Sequence, residues 1–336
     1  MNARLFRRIQ SIEDCEVSYD VDLSQHTTMR VGGKASCMAV VHTEKALEEL
    51  IKRANRQRIP IFALGGGSNT IFMDDGFDGI VFKLGRDFQY VRHISGVRVA
   101  AGAGAPLSRL VLHALKRNLA GLEFCLGIPG TVGGALAGNA GTHNVGVCDS
   151  VSKVWGFTHD GERFEVDKFP YGYRYSWLRK TFIAGANFVL KDCKKDDEKA
   201  ALKARVQQMR AARKAQPYNK SSAGCIFRNP LGDSAGRLID LSGLKGFSVG
   251  DIEVSDRHAN FIVNNGRGKA EDLVYLICYI RQVIKEKFDV DLQLEVQLVS
   301  SHPMHVEPKP DKAPETRGIR ATVLAPSGSE PILSFS

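Results

Sequence analysis

Seventeen of the chain's 33 glycines fall between Gly65 and Gly146, a stretch of 82 residues. Three dense runs account for most of the cluster: LGGGSNT (Leu64–Thr70), GAGAPL (Gly102–Leu107) and GIPGTVGGALAGNAG (Gly127–Gly141). Glycine lets a backbone approach an anion closely, and successive free amides form a concave binding nest. The first run follows the apolar segment IFAL, which reads as a buried strand. No Lys-Ser/Thr follows its glycines, so it is not a Walker loop, and neither short run carries the third glycine of a dinucleotide fingerprint. A tight turn explains either short run alone. The third run, with six glycines in 15 residues, is too dense for a simple hairpin and implies backbone packed against something flat or phosphorylated. Together the runs point to a large nucleotide cofactor.

The rest of the composition sets bounds. The 336 residues allow two or three domains at about 100–200 residues each. No apolar run approaches the ~18 residues of a bilayer span. The basic start MNARLFRRIQ leads into SIEDCEVSYD rather than an apolar stretch, so a secretory signal is not expected and a cytoplasmic location is. Seven scattered cysteines without a C-x-x-C pair argue against a disulfide scaffold or a structural zinc site, and no metal is expected. The net charge of +9 raises the question of nucleic acid. However, the main basic cluster, eight Lys/Arg from Lys194 to Lys214, lies on one helical segment without interleaved aromatics. No nucleic-acid or membrane partner is expected.

Apolar spacing predicts helices from Glu44 to about Arg58, N-capped by Thr43, and from Pro106 through Ala114. A further helix is expected with Leu273, Leu276, Ile277, Ile280, Ile284 and Phe288 on one face. Ile80–Leu84 and Val97–Gly102 read as strands, and the alternation from Val290 to Leu298 predicts one half-buried strand. Pro303–Ser336 holds six of the 12 prolines and no amphipathic period, so it reads as a disordered tail. The fold class is α+β, with a glycine-rich first part and a smaller second part after about Leu190.

Three further places could carry chemistry. In YGYRYSW, Arg174 is either a stacked hinge residue or a rigid guanidinium for a carboxylate or enolate. In SSAGCIFRNP, Cys225 follows Gly224 and is either a buried thiol or a reactive one. Glu295 lies on the polar face of the expected last strand, where a solvated carboxylate is the plain alternative.

With TTMRVGG, LGGGSN, GAGAPL, GLEFCLGIPGTVGGALAGNAG, the Tyr173-Arg174 pair, SAGCIFRNP, HANFIVN and LEVQL in order, the chain resembles the UDP-N-acetylenolpyruvoylglucosamine reductases. The resemblance runs from about Leu23 to His302. It implies an N-terminal extension (1–22) and an FAD-binding domain of the vanillyl-alcohol-oxidase (PCMH) type (23–190, in subdomains 23–84 and 85–190). A substrate-binding domain (191–302) and the tail (303–336) follow. Only 50 residues separate Arg174 from Cys225, too few for the tyrosine-bearing loop of one branch, so the chain resembles the shorter, second type. Carried over by motif, Arg174 and Glu295 are catalytic, and Cys225 stands where the family usually has a serine proton donor. FAD contacts fall on Gly65, Gly66, Gly67, Ser68, Asn69, Gly102, Gly104, Gly127, Ile128, Pro129, Gly130, Gly133, Gly134 and Ala135. Substrate contacts fall on Asn139, Tyr173, Arg213, Lys214, Asn229 and His258.

The resemblance implies non-covalent FAD, NADPH as co-substrate, and UDP-N-acetylglucosamine enolpyruvate as the group reduced, in a monomer. Hydride from the reduced flavin N5 and a proton from Cys225 would complete UDP-N-acetylmuramate. Two alternatives are a flavin oxidase on the same cofactor fold and a basic nucleic-acid-binding protein.

Overall fold

The computed structural model describes residues 9–142, 145–214, 216–217 and 219–301, and the backbone of 304–305, 322–323 and 333–334. The chain packs into two compact units, each drawn from three separate stretches. The first comprises Met1–Tyr19, Cys37–Gly66 and Ile80–Lys214, and the second Asp20–Ser36, Gly67–Gly79 and Ala215–Ser336.

Two sheets organise the first unit. One has the strand order Cys15–Asp22, Lys34–Val41, Phe77–Leu84, Ile61–Ala63. Helix Glu44–Arg56 packs on its core with Leu47, Leu50, Ile51 and Ala54, all buried, and the Thr43 hydroxyl caps it by accepting from the Ala46 amide at 3.2 Å. The other is an antiparallel sheet ordered Arg163–Val166, Val151–Phe157, Phe182–Val189, Arg98–Gly102, Val91–Ser95. Helix Leu107–Leu115 turns Leu107, Leu110, Val111 and Ala114 into its core, with Pro106 at the cap position rather than inside the helix.

Two boundaries differ from the sequence reading. Residues 1–22 are not an appendage as far as they are described: Ile9 and Ile12 are buried in the first core, and Cys15–Asp22 is a sheet strand. The first unit also continues past Leu190 to Lys214. Strand Lys191–Asp192 pairs with Leu119–Ala120, and helix Asp196–Lys214 is fastened by Leu202 against Ala120 and Cys193.

The second unit is built on an antiparallel sheet ordered Ser221–Cys225, Phe261–Asn264, Ile252–Val254, Ser248–Val249. Helix Ala270–Phe288 buries Leu273, Leu276, Ile277, Ile280 and Ile284 in its core, with Phe288 half-buried at the end. The single strand expected over Val290–Leu298 is corrected. Burial alternates as expected at Leu292, Val296 and Leu298, but the pairing is divided. Leu294 bridges to Phe227, whereas Gln297–Val299 pairs in parallel with Thr70–Phe72. The segment changes partner at Glu295 and cannot form one continuous ladder. In the tail, three two-residue strands, Met304–His305, Thr322–Val323 and Leu333–Ser334, pair antiparallel. The rest of the expected disordered tail lies outside the described residues.

Candidate active-site residues

The glycine runs of the first unit need their glycines chiefly to pack on one another. Leu107 donates its amide to the Gly130 carbonyl at 3.0 Å, Val132 to Ala105 at 2.9 Å and Gly133 to Ala103 at 2.8 Å, so the second and third runs are laced together. A Cβ on Gly66 would stand 2.8 Å from the Gly130 Cα, and one on Gly65 would stand 2.7 Å from the Thr131 hydroxyl. All three runs therefore converge. Among the described residues, the amides of Gly65 and Gly66 donate to no protein acceptor, and Gly66 is exposed. Gly127, Pro129 and Gly134 are also exposed, Gly104 is backed by Leu84, and Ile128 and Ala135 are half-buried and buried.

Gly67, Ser68 and Asn69 belong to the second unit. Gly67 has φ +65° and lies so close to Thr27 that a Cβ would be 2.8 Å from its Cα. The Thr27 hydroxyl is buried and finds no partner among the described residues. Within the first unit, the free amides at Gly65 and Gly66 are donors that fit an acceptor-rich, anionic dinucleotide, so the residues present there are compatible with FAD.

Arg174 stands in the first unit at the tip of a hairpin. Tyr171–Gly172 pairs with Tyr175–Ser176, leaving Tyr173 and Arg174 as the turn, with Arg174 at φ +54°. Its Nη1 donates to the Gly141 carbonyl at 2.9 Å, and its guanidinium lies 5.2 Å from the Tyr173 ring centroid. The geometry is that of a stacked hinge residue whose guanidinium is held in place at the Gly141 carbonyl.

Asn139 was expected to touch substrate, but its amide is committed elsewhere. It is buried at φ +44°, Nδ2 donates to the Gly172 carbonyl at 2.7 Å, and Oδ1 accepts from the Cys148 amide at 3.1 Å. The geometry makes it an anchor of the Arg174 hairpin. Arg213 donates Nε to the Leu126 carbonyl at 3.3 Å, and Lys214 is exposed at the end of its helix. Burial pushes the Cys125 thiol up to about 12, with Arg213 and Arg174 pulling against it and Glu123 adding to it.

In the second unit, Cys225 ends its strand after Gly224, at φ +78°, where a bulge precedes its pairing with Phe261. It is half-exposed, unlike the buried Cys37, Cys125, Cys148, Cys193 and Cys278. The Glu295 amide donates to the carbonyl of Ile226, the residue after Cys225, at 2.8 Å. This brings the two expected catalytic segments side by side. Asn69 closes the other flank, donating Nδ2 to the Glu295 carbonyl at 3.0 Å and accepting from the Gln297 amide at 2.9 Å. Asn229 Oδ1 accepts from the Ala235 amide at 3.1 Å, fixing the turn into helix Ala235–Leu241.

His258 lies edge-on to Phe261 at 4.9 Å and accepts from the Asn260 amide on Nδ1 at 3.3 Å. Burial lowers its pKa below the ordinary imidazole value, and nearby Lys245 lowers it further. The unfolded chain thus binds this proton more readily than the folded one. Stability from this residue is complete above about pH 6.5 and falls as the pH drops toward the folded value. Urea melts at pH 7.5 and 5.5 should show a smaller acid-side loss for His258→Asn than for the unaltered protein. An equal loss would remove His258 from that account.

Sequence reasoning passed over Asn260, which sits inside the HANFIVN motif. An asparagine flanked by apolar residues at a strand entrance was the available signal. Among the described residues, no group of three His, Cys, Asp or Glu is placed to hold a metal, and no helix is long and apolar enough to cross a membrane.

Comparison with known proteins decides the family. Residues 35–167 match the family model described as FAD binding domain, and 216–299 match UDP-N-acetylenolpyruvoylglucosamine reductase, C-terminal domain. The reductase of Bacillus velezensis is 36% identical over 300 residues, covering 88% of this chain and 98% of the relative. The chain belongs to the UDP-N-acetylenolpyruvoylglucosamine reductase family. That of Desulfosudis oleivorans is 40% identical over 299 residues, covering 84% of this chain and 94% of the relative. The crystal structure of the family's enzyme from Thermus caldophilus aligns with TM-score 0.71 at 36% identity, over 84% of this chain and 98% of that one. The fold is accordingly a PCMH-type FAD-binding domain joined to the reductase C-terminal domain, as the sequence resemblance implied.

Proposed function

We propose that this chain reduces UDP-N-acetylglucosamine enolpyruvate to UDP-N-acetylmuramate for peptidoglycan precursor synthesis, using FAD and taking its electrons from NADPH. The observation that carries the reading is the joining, in one chain, of an FAD binding domain with the family's own C-terminal domain. A flavin oxidase on the same cofactor fold would not carry that second half. The reading puts the protein in the cytoplasm, as a monomer with non-covalent FAD.

The substrate is an alkene conjugated to a carboxylate. FAD held there would, once reduced, supply hydride chemistry at the alkene's terminal carbon. Negative charge then develops on the other carbon and on the carboxylate. Arg174 stabilises that charge: its guanidinium is permanently charged, held at the Gly141 carbonyl and stacked on Tyr173, so it need not reorganise as the charge forms. Cys225 delivers the proton that quenches the carbanion, and Glu295 orients the substrate or the acid. Tyr173, Arg213, Lys214, Asn229 and His258 contact the nucleotide sugar, whereas Asn139 acts through the hairpin it anchors. The Gly65 and Gly66 amides donate to FAD.

The purified protein should be yellow, and acid or heat should release FAD into the supernatant. Reduced anaerobically with NADPH, it should be reoxidised by the enolpyruvyl substrate. Colourless protein that takes up no added FAD would sink the cofactor assignment. Flavin that stays with the precipitate would refute only the absence of a covalent link, and failure of reoxidation would refute the substrate.

A further inference from the structure

The strand pairing that carries Cys225 runs out one residue after it. Cys225 pairs with Phe261, and the Ile226 amide still finds a main-chain acceptor, the Asn260 carbonyl, at 2.9 Å. Beyond that the partner chain turns away, its Phe261 amide bonding back to the His258 carbonyl at 2.8 Å. Phe227 is left buried, with an amide and a carbonyl facing a side that no strand covers. Buried backbone groups without partners are costly, so something must replace the missing strand.

The replacement is the Asn260 side chain. It is buried, its Oδ1 accepts from the Phe227 amide at 2.9 Å, and its Nδ2 donates to the Phe227 carbonyl at 2.8 Å. Only one orientation of the amide satisfies both bonds, and a primary amide is the neutral side chain that offers a donor and an acceptor at this spacing. On the opposite side, Phe227 bridges to Leu294, the Arg228 amide donates to the Gln293 carbonyl and the Glu295 amide to the Ile226 carbonyl, both at 2.8 Å. Residues 226–228 are thus a two-sided splint. One edge is the segment that bears Glu295, the other is a single side chain, and Cys225 is attached to its end.

We propose that Asn260 is a positioning residue for the proton-transfer step: its side-chain amide, in place of a strand, fixes Phe227, two residues on from Cys225, and so holds Cys225 in register with the Glu295 segment. The proposal rests on the reading of Cys225 and Glu295 given above. It assigns Asn260 no contact with the substrate. Loss of the splint moves the thiol without removing it.

Asn260→Asp tests this through a pH profile. Ionised, the aspartate opposes the Phe227 carbonyl with a second acceptor; protonated, it restores one donor and one acceptor and re-forms both bonds. With FAD-loaded protein under anaerobic conditions, reduction by NADPH should match the unaltered enzyme across the range. Reoxidation by the enolpyruvyl substrate should be ~100-fold slower near pH 8, the scale of an ångström-sized misplacement. It should recover most of that deficit near pH 6, measured against the unaltered enzyme at each pH. Asn260→Ala, which supplies neither bond, should be slow at both. Three results would overturn the proposal: Asn260→Asp reoxidising at the unaltered rate throughout, a deficit that does not change with pH, or both half-reactions falling together with loss of flavin. Failure of the unaltered enzyme to be reoxidised would instead count against the substrate reading.

Discussion

Cys225→Ala should leave reduction of the flavin by NADPH unchanged and slow its reoxidation by the enolpyruvyl substrate ~100-fold or more, the usual scale for loss of a general acid. The two half-reactions separate because only the second needs a proton at carbon. A free thiol has an ordinary pKa of ~8.5, so it carries its proton at neutral pH and gives it up more readily than a serine hydroxyl. The placement suits that task. Cys225 is half-exposed at a bulged strand end, after a glycine at φ +78°, and next to the residue that receives the Glu295 amide. Cys37, Cys125 and Cys148, by contrast, are buried, and burial pushes each of their thiols up to about 12. Cys225→Ser should recover much of the lost rate, since the family usually has serine there. Stopped-flow traces of each half-reaction decide the matter. Reoxidation of Cys225→Ala at the unaltered rate would make the thiol a packing residue and turn attention to Glu295 or a bound water.

Local pattern carried much of this fold into view. The faces of helices Glu44–Arg56 and Leu107–Leu115 are those the apolar spacing predicts, because each packs one stripe on one sheet, whereas Ala270–Phe288 buries its predicted face but is also buried all round from Asp272 to Cys278. The Val290–Leu298 segment shows where such reasoning stops. Its alternation reports burial correctly, but which strand each half pairs with is set by Phe227 and Thr70–Phe72, far away in the sequence. The same holds for the units. Asp20–Ser36 and Gly67–Gly79 belong with the C-terminal half, and no linker composition marks the chain's crossings. At the site, residue types were legible and their duties less so. Asn139 comes to the substrate set only through the family resemblance, yet its amide spans Gly172 and Cys148. Asn260 went unselected because a side chain standing in for a strand leaves no periodic trace. The density of the third run suggests room for a ligand, whereas a Cβ on Gly133 would meet Ala103 of the second run and Gly66 of the first run backs onto Gly130.

Arg174 occupies a backbone conformation that an arginine does not favour, and replacing it should separate stability from activity. At the second central position of its hairpin turn, φ of +54° is the left-handed region where glycine is the default. A side chain there costs about 1–2 kcal/mol relative to its preferred conformation. The strain persists because the Asn139 amide holds the hairpin at Gly172, and the guanidinium itself is tied to Gly141 and Tyr173. Arg30 and Arg58 share that backbone conformation, so what sets Arg174 apart is the anchoring of its guanidinium rather than the strain alone. Arg174→Ala and Arg174→Gly both remove the guanidinium, and each should slow reoxidation by the substrate about 10²–10³-fold, the scale for deleting a pre-organised electrostatic contact. They should differ in stability. The alanine variant keeps the strain, whereas the glycine variant sheds it, so glycine should be the more stable by about 1 kcal/mol in urea melts of the two proteins. Substrate turnover close to the unaltered rate in either variant would remove Arg174 from the chemistry. Alanine as stable as glycine would mean that the turn relaxes once its anchors are gone, and that Asn139 alone does not set its shape.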